Sequence, residues 1–172
     1  VLALLVFVAV TIFKGVRIVP QGYKWIVQRL GKYHSTLNPG LNFVIPYIDE
    51  VAYKVTTKDI VLDIPSQEVI TRDNAVLLMN AVAYINLTTP EKAVYGIENY
   101  SWAIQNLVQT SLRSIVGEMD LDDALSSRDH IKARLKASIS DDISDWGITL
   151  KTVEIQDIKP SHTMQAAMEE QA

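Results

Sequence analysis

The sequence of 172 residues contains no cysteine, which excludes disulfide bonds, thiolate metal ligands and cysteine nucleophiles. Histidine is scarce: His34, His130 and His162 lie in unrelated segments, without the spacing of a metal-ligand set. A glycine-rich phosphate loop and a G-x-S-x-G nucleophile elbow are also missing from the sequence. We therefore predict a protein that is not an enzyme and that uses no metal ion or cofactor.

Three acidic residues, Asp120, Asp122 and Asp123, resemble the start of a calcium-binding loop. An EF-hand loop needs glycine at its sixth position and glutamate at its twelfth, but this sequence has Leu125 and Ile131 there. We interpret Asp120 instead as the cap of a short helix, whose positive end the other two acids favour.

Basic residues are fewer than acidic ones: the sequence has 16 Lys and Arg residues and 20 Asp and Glu residues, which give a net charge of −4. Basic residues are not interleaved with aromatic residues, as a groove for single-stranded nucleic acid requires. The sequence therefore predicts no nucleic-acid partner.

An apolar segment without charge opens the sequence, from Val1 to Phe13. As a helix it would span roughly 20 Å, against roughly 30 Å of membrane hydrocarbon. Since the sequence begins with valine rather than methionine, we expect further residues upstream. We predict a membrane anchor over residues 1–18, with a signal peptide and a buried core helix as alternatives. The anchoring side chains would be Leu2, Leu4, Leu5, Val6, Phe7, Val8, Val10, Ile12 and Phe13.

The charges are distributed unevenly along the sequence. Residues 1–60 carry seven basic and three acidic side chains, whereas residues 61–172 carry nine basic and seventeen acidic ones. Five of the basic residues follow the apolar segment before the first acid, Asp49. An excess of Lys and Arg beside a membrane segment marks the cytoplasmic side. We therefore expect the folded part to face the cytoplasm.

Strand patterns occupy the first half of the sequence. Residues 24–30 are rich in aromatic and β-branched types, residues 51–64 form a longer extended stretch closed by Pro65, and alternate apolar residues run from Leu77 to Leu87. Turns are predicted at residues 38–40 and 72–74. The alternation over residues 77–87 predicts one continuous buried strand face.

Helical patterns follow from Thr89 and Pro90, an N-cap and first-turn pair. A second helix is predicted to begin at its cap, Asn99, and to end at Gly117. A third helix is predicted to begin at Ser126 or Ser127 and to end at Gly147. Residues 148–158 return to a strand pattern with a phase change between residues 150 and 153, which suggests a bulge. We expect Pro160 to open a last helix, which continues beyond residue 172.

Eight short motifs follow one another along almost the whole chain. They are VPQGY at residues 19–23, GKY at 31–33, LNPGL at 37–41, VLDIPSQEVI at 61–70, RDN at 72–74, MDLD at 119–122, LSSR at 125–128 and WGI at 146–148. Together they resemble the SPFH (band 7) family, which contains stomatins, prohibitins, flotillins and the HflK/HflC proteins. The later motifs resemble the stomatin-like branch, in particular its bacterial paraslipins.

The resemblance implies an α+β fold in two lobes. A first, mostly β lobe would cover residues 19–88, a second lobe of helices plus a strand would cover 89–159, and a long coiled-coil helix would start at 160–172. It also implies a homo-oligomeric ring or cage that organises a microdomain in the bilayer and regulates an FtsH-type protease or an NfeD-type membrane protein. The expected location is the bacterial inner membrane, with a single pass. The alternative is a monomeric or low-order adaptor for such a partner.

A membrane-surface contact is predicted after the anchor, because Pro46 interrupts an apolar run that is too irregular for a central strand. Packing under the sheet is the alternative. The residues of this contact are Leu41, Phe43, Val44, Ile45, Tyr47 and Ile48.

A self-association surface is predicted on the helix after Ser127, where charges of opposite sign lie along the two edges of its apolar face. The basic edge consists of Arg128, Lys132 and Lys136, and the acidic edge of Asp141, Asp142 and Asp145, with Asp122 and Asp123 as further candidates. Like charges four residues apart repel, and the helix dipole disfavours this order of charges. A head-to-tail neighbour would compensate, whereas a solvated charged face is the alternative.

Overall fold

A computed structural model of the chain describes residues 1–160, so the predicted helix over 161–172 lies outside the described residues. Helices and strands alternate in blocks. In chain order they are α1 (Leu2–Lys14), β1 (Val16–Val19), β2 (Tyr23–Arg29), β3 (Lys32–Leu37), β4 (Gly40–Phe43), β5 (Asp49–Thr56), β6 (Ile60–Ile70), β7 (Val76–Leu87), α2 (Pro90–Gly96), α3 (Tyr100–Gly117), α4 (Leu121–Ser126), α5 (Arg128–Ser144) and β8 (Ile148–Pro160).

Three antiparallel sheets organise the described strands. One pairs β1 with β4, the second has the order β3-β2-β5, and the third has the order β6-β7-β8. Helices α3 and α5 pack on the third sheet. The mixed α+β class with antiparallel sheets is therefore confirmed.

The main core lies between the third sheet and helices α3 and α5. The alternating residues Leu77, Met79, Ala81, Ala83, Ile85 and Leu87 are all at most 3% exposed, as their period of two predicts. They meet Ile104, Val108 and Leu112 from α3 and Leu135, Ile139 and Ile143 from α5. A smaller core of Val19, Val27 and Leu37 lies under the first two sheets.

Several predicted boundaries agree with the structure. The Asn99 side chain accepts a hydrogen bond from the backbone N–H of Trp102 at the start of α3, and Ser127 precedes α5. Helix α5 ends at Ser144, and Gly147 then takes a positive φ of 69° before β8. The register of β7 with β8 shifts between residues 84 and 85, opposite Lys151, where the sequence predicts a bulge.

One prediction that depends on proline was wrong. The extended stretch at 51–64 is divided between β5 and β6, and Pro65 lies inside β6 instead of closing a strand. Proline is tolerated there because the register with β7 shifts between Ile64 and Gln67, so no ladder bond needs the missing N–H. Pro160 is the last residue of β8, opposite Leu77, and the helix predicted to follow it lies outside the described residues.

The cap predicted for the short helix α4 was also wrong. Asp120 makes no capping hydrogen bond and pairs instead with Arg72, at 2.7 Å. The carboxylate of Asp73 accepts from the backbone N–H of Leu121, at 3.2 Å. The hydrogen bond from the Thr71 hydroxyl and the one from Leu121 N–H keep the pKa of Asp73 below its usual value. Asp73 lies in the β6–β7 turn, 48 residues from Leu121 in the sequence, so no sequence pattern near α4 predicts this cap.

The third sheet contains strands from both sides of residue 88, which is the predicted boundary between the two lobes. Strand β7, before this boundary, pairs with β8, after it, from Leu77 to Leu87. Both strands contribute to the main core. The division into two lobes at residue 88 stays a prediction.

Candidate membrane-facing and self-association surfaces

Helix α1 contains the predicted anchor residues and buries none of them. Its apolar side chains are exposed on all sides, from 43% for Val10 to 81% for Phe13. The helix has 13 residues, and within residues 1–160 no helix is both long and apolar enough to cross a membrane. A single-pass anchor thus stays a prediction for this end of the chain.

Gly15 joins α1 directly to the β1–β4 sheet. Its carbonyl accepts a hydrogen bond of 2.8 Å from the backbone N–H of Val44. A Cβ atom at Gly15 would lie 2.6 Å from the carbonyl oxygen of Val44, so only glycine permits this approach of the two backbones. Because no linker separates α1 from the sheet, the position of the helix constrains the position of the domain.

One face of the β1–β4 sheet presents apolar side chains to the solvent. Residues directly opposite each other in an antiparallel pair share a face, and the register pairs Ile18 with Leu41 and Val16 with Phe43. Ile18, Leu41 and Phe43 are 69%, 62% and 68% exposed. The sequence prediction missed Ile18, although its position two residues after Val16 could have placed it on this face.

The loop after β4 contains the other predicted membrane-contact residues. Ile45 and Tyr47 are exposed, whereas Val44 and Ile48 are half-buried. Val44 packs against the smaller core. The structure therefore places four of the six predicted residues at the surface, together with Ile18, while no finding tests their contact with lipid.

Asp49 fixes the shape of this loop. Its carboxylate, 2% exposed, pairs with Arg29 at 2.8 Å and accepts a 2.8 Å hydrogen bond from the backbone N–H of Ile45. The hydrogen bond from Arg29 lowers the pKa of Asp49 to about 2, and the Ile45 N–H and the positive charge act in the same direction. The same pairing raises the pKa of Arg29.

The low pKa of Asp49 predicts an acid-sensitive loop. Because the pKa is lower in the folded chain than the unfolded value of about 3.9, Asp49 stabilises the fold above about pH 4. This stabilisation is lost as the pH falls towards about 2. We expect the free energy of unfolding, measured in urea, to fall less between these pH values in Asp49→Asn than in the parent chain. An equal fall in both proteins would contradict this role.

The predicted self-association residues lie on α4 and α5, except Asp145, which directly follows α5. Asp122, Asp123, Asp141, Asp142 and Asp145 are exposed, as are Arg128 and Lys136. The apolar face between the two edges, formed by Ile131, Leu135, Ile139 and Ile143, is fully buried on the sheet. The structure thus brings the two edges onto one element and leaves both accessible, while no finding tests their contact with another copy.

Part of the basic edge has partners within the chain. The ammonium of Lys132 pairs with Glu154 of β8 at 2.6 Å, and this hydrogen bond lowers the pKa of Glu154. Arg128 donates to the backbone carbonyl of Gln156 at 3.4 Å. Strand β8 therefore compensates part of the repulsion among these charges, for which a neighbouring copy was the predicted partner. Lys136 makes no ion pair within residues 1–160.

A third exposed feature, a cleft beside Trp102, was not predicted from the sequence. Trp102, 64% exposed on α3, lines a cleft of about 300 Å³ with Ile97, Leu107 and Trp146. The sequence contained a signal for this feature, because Trp102 lies off the helical face that Ile104, Val108 and Leu112 form at a spacing of four residues. Nothing in the described part of the chain covers this cleft.

The fold is a mixed α+β domain with antiparallel sheets, and comparison with known proteins identifies its family. The SPFH domain / Band 7 family model matches residues 17–172. The chain belongs to this family, which confirms the resemblance seen in the sequence.

Relatives come from archaea, bacteria and mitochondria. An uncharacterised protein of Methanocaldococcus jannaschii is 40% identical over 160 residues, covering 93% of this chain and 80% of that protein. An uncharacterised protein of Mycobacterium tuberculosis is 37% identical over 168 residues, covering 98% of this chain and 44% of that protein. Rat stomatin-like protein 2, mitochondrial, is 36% identical over 153 residues, covering 89% of this chain and 43% of that protein. The chain thus spans less than half the length of the last two.

Proposed function

We propose that this chain is the membrane-proximal domain of a non-enzymatic scaffold, which self-associates and so organises a patch of bilayer with its resident proteins. The observation that carries the proposal is the direct junction at Gly15 between an apolar helix with no buried residue and an apolar sheet face. Soluble proteins rarely leave an apolar surface of this extent exposed to water. A bilayer would cover α1 and the apolar face of the β1–β4 sheet together. Membership of the SPFH family supports the same function.

The proposed location is the bacterial inner membrane, with a single pass and the domain on the cytoplasmic side. The basic residues that follow α1 support this orientation, because Lys and Arg beside a membrane segment favour the cytoplasm. An anionic leaflet would also attract them.

The proposed assembly is a ring or cage of identical copies, completed by the predicted coiled coil beyond residue 160. The exposed charges on α4 and α5 support it, since opposite charges on one helix suit head-to-tail contact. Within it the scaffold would hold or regulate an FtsH-type protease or an NfeD-type membrane protein. The alternative is a monomeric adaptor for such a partner, favoured by the ion pair of Lys132 with Glu154, which occupies part of the charged edge within one copy.

The particle mass in mild detergent distinguishes scaffold from adaptor. We expect a chain extended through its natural C-terminal segment to form particles of many copies. A single mass corresponding to one or two copies would favour the adaptor.

Membrane contact by the sheet and loop gives a second prediction. In a chain lacking residues 1–14, replacing Phe43 and Ile45 by serine should weaken binding to vesicles, because each buried side chain of this size contributes roughly 1.5–3 kcal/mol. Flotation of vesicles measures the bound fraction. The matched control is Val61→Ser with Ile70→Ser, two β6 residues that are each 56% exposed. Equal binding of both double variants would show that Phe43 and Ile45 do not contact lipid.

Orientation can be tested by cysteine labelling, because the chain has no cysteine of its own. The variant Val61→Cys provides a single thiol at an exposed position on β6. We expect a membrane-impermeant maleimide to label it in lysed cells and not in intact spheroplasts. Labelling in intact spheroplasts would place the domain on the opposite side.

A further inference from the structure

Two large apolar residues adopt backbone conformations that disfavour them. Among residues 1–160, only Leu30, Tyr47 and Asn74 are non-glycine residues with positive φ, at 53°, 25° and 69°. Asparagine tolerates this region, but leucine and tyrosine do so rarely. Leu30 is also 79% exposed and Tyr47 is 69% exposed, so neither gains core packing in return.

Leu30 occupies the tip of a tight hairpin. It forms with Gly31 the two-residue loop between β2 and β3, where Arg29 is paired with Lys32. Positive φ at both loop positions is the type I′ geometry, which asparagine followed by glycine favours. Leucine at this position therefore makes the turn less stable than asparagine would, and it places an apolar side chain at the exposed tip. Strained residues of this kind often mark a functional surface.

The two strained residues lie in neighbouring loops. The backbone N–H of Leu30 donates a 3.0 Å hydrogen bond to the carbonyl of Ile48, the residue after Tyr47. The ion pair of Arg29 with Asp49 fixes the same two segments together. The hairpin tip and the Tyr47 loop thus form one surface.

This surface lies at the α1 end of the molecule and carries positive charge. The ammonium of Lys14 is 6.0 Å from the centre of the Tyr47 ring, and Phe13 and Tyr47 line a common cleft of about 640 Å³. Lys14 and Lys32 have no ion-pair partner in the described part of the chain. Asp49, which follows the loop, is buried against Arg29, and the next acid, Glu50, is exposed.

We propose that Leu30 and Tyr47 form a paired wedge that inserts into the headgroup boundary of an anionic bilayer, beside the point where α1 enters it. The inference rests on the proposed membrane function and adds the β2–β3 hairpin tip as a second attachment. Apolar side chains reach the acyl boundary while neighbouring lysines meet anionic headgroups. A second attachment at the hairpin tip fixes the tilt of the domain further, in addition to the constraint that the junction at Gly15 imposes.

The test uses the full chain with one introduced cysteine, since the natural sequence has none. Leu30→Cys and Tyr47→Cys are labelled with an environment-sensitive fluorophore and reconstituted into vesicles of phosphatidylcholine and phosphatidylserine. A fraction of the lipids carries a nitroxide quencher near the headgroup. Phe7→Cys on α1 is the positive control, and Trp102→Cys, at a site 64% exposed on α3, is the matched negative control.

We expect the labels at positions 30 and 47 to shift their emission to shorter wavelength and to lose most of their fluorescence to the quencher. The label at position 102 should do neither. Quenching at position 7 without quenching at position 30 would overturn the wedge and leave the proposed membrane function intact. Absence of quenching at position 7 as well would overturn both.

A second variant separates a wedge from an ordinary turn. Leu30→Asn restores the favoured turn residue, so the melting temperature in detergent should rise by about 2–4 °C. In the same variant the label at Tyr47→Cys should be quenched less, because one half of the wedge is gone. Unchanged quenching at position 47 would show that Leu30 contributes no attachment.

Discussion

Replacing Gly147 by alanine is expected to destabilise the chain by about 2–5 kcal/mol, the combined cost of left-handed backbone and of overpacking. Gly147 has a φ of 69°, and a Cβ there would lie 2.5 Å from the carbonyl oxygen of Thr89 and 2.7 Å from its Cβ. The backbone cannot move away easily, because the N–H of Thr89 donates a 2.9 Å hydrogen bond to the Gly147 carbonyl. This contact joins the α5–β8 turn to the start of α2. Urea denaturation measures the loss.

Gly31→Ala is the matched control for this experiment. Gly31 also has a positive φ, of 84°, but a Cβ there would meet no atom within 4 Å. Only the backbone cost of about 1–2 kcal/mol remains. Equal losses in the two variants would mean that the contact with Thr89 has no steric consequence.

Charge reversal on α5 is expected to abolish assembly without unfolding the chain. We choose Arg128→Glu with Lys136→Glu, because these side chains are exposed and leave the ion pair of Lys132 with Glu154 intact. Exposed charges contribute only about 0–1 kcal/mol each within a chain. The same charges repeat at every contact of a ring, so their reversal acts on each interface at once. The particle mass in mild detergent should fall to that of a single copy, with an unchanged circular dichroism spectrum.

The control for charge reversal is Lys92→Glu with Lys151→Glu, which changes the net charge equally at exposed positions on α2 and β8. This double variant should assemble like the parent. Adding Asp141→Lys and Asp142→Lys to the first double variant should restore part of the assembly. Full assembly of Arg128→Glu with Lys136→Glu at the salt concentration that the parent tolerates would exclude this edge as an interface.

The local patterns of the sequence were sufficient for the elements that form the main core. The alternation from Leu77 to Leu87 and the helical spacing from Ile131 to Ile143 both predicted buried faces, and both faces are buried. These predictions hold because the period of side chains along a strand or helix is a property of the local backbone. The eight family motifs, read along the same sequence, indicated the family.

Contacts between distant segments were decided only by the tertiary structure. Asp73 replaces Asp120 at the start of α4, and Glu154 reaches Lys132 from a strand that the helical pattern does not include. Pro65 lies inside a strand because a register shift removes the need for its N–H. The hydrogen bond from Leu30 to Ile48 likewise places a hairpin tip beside the loop that contains Tyr47. Each depends on which backbones pair and in which register, and residue periodicity along one segment does not contain that information.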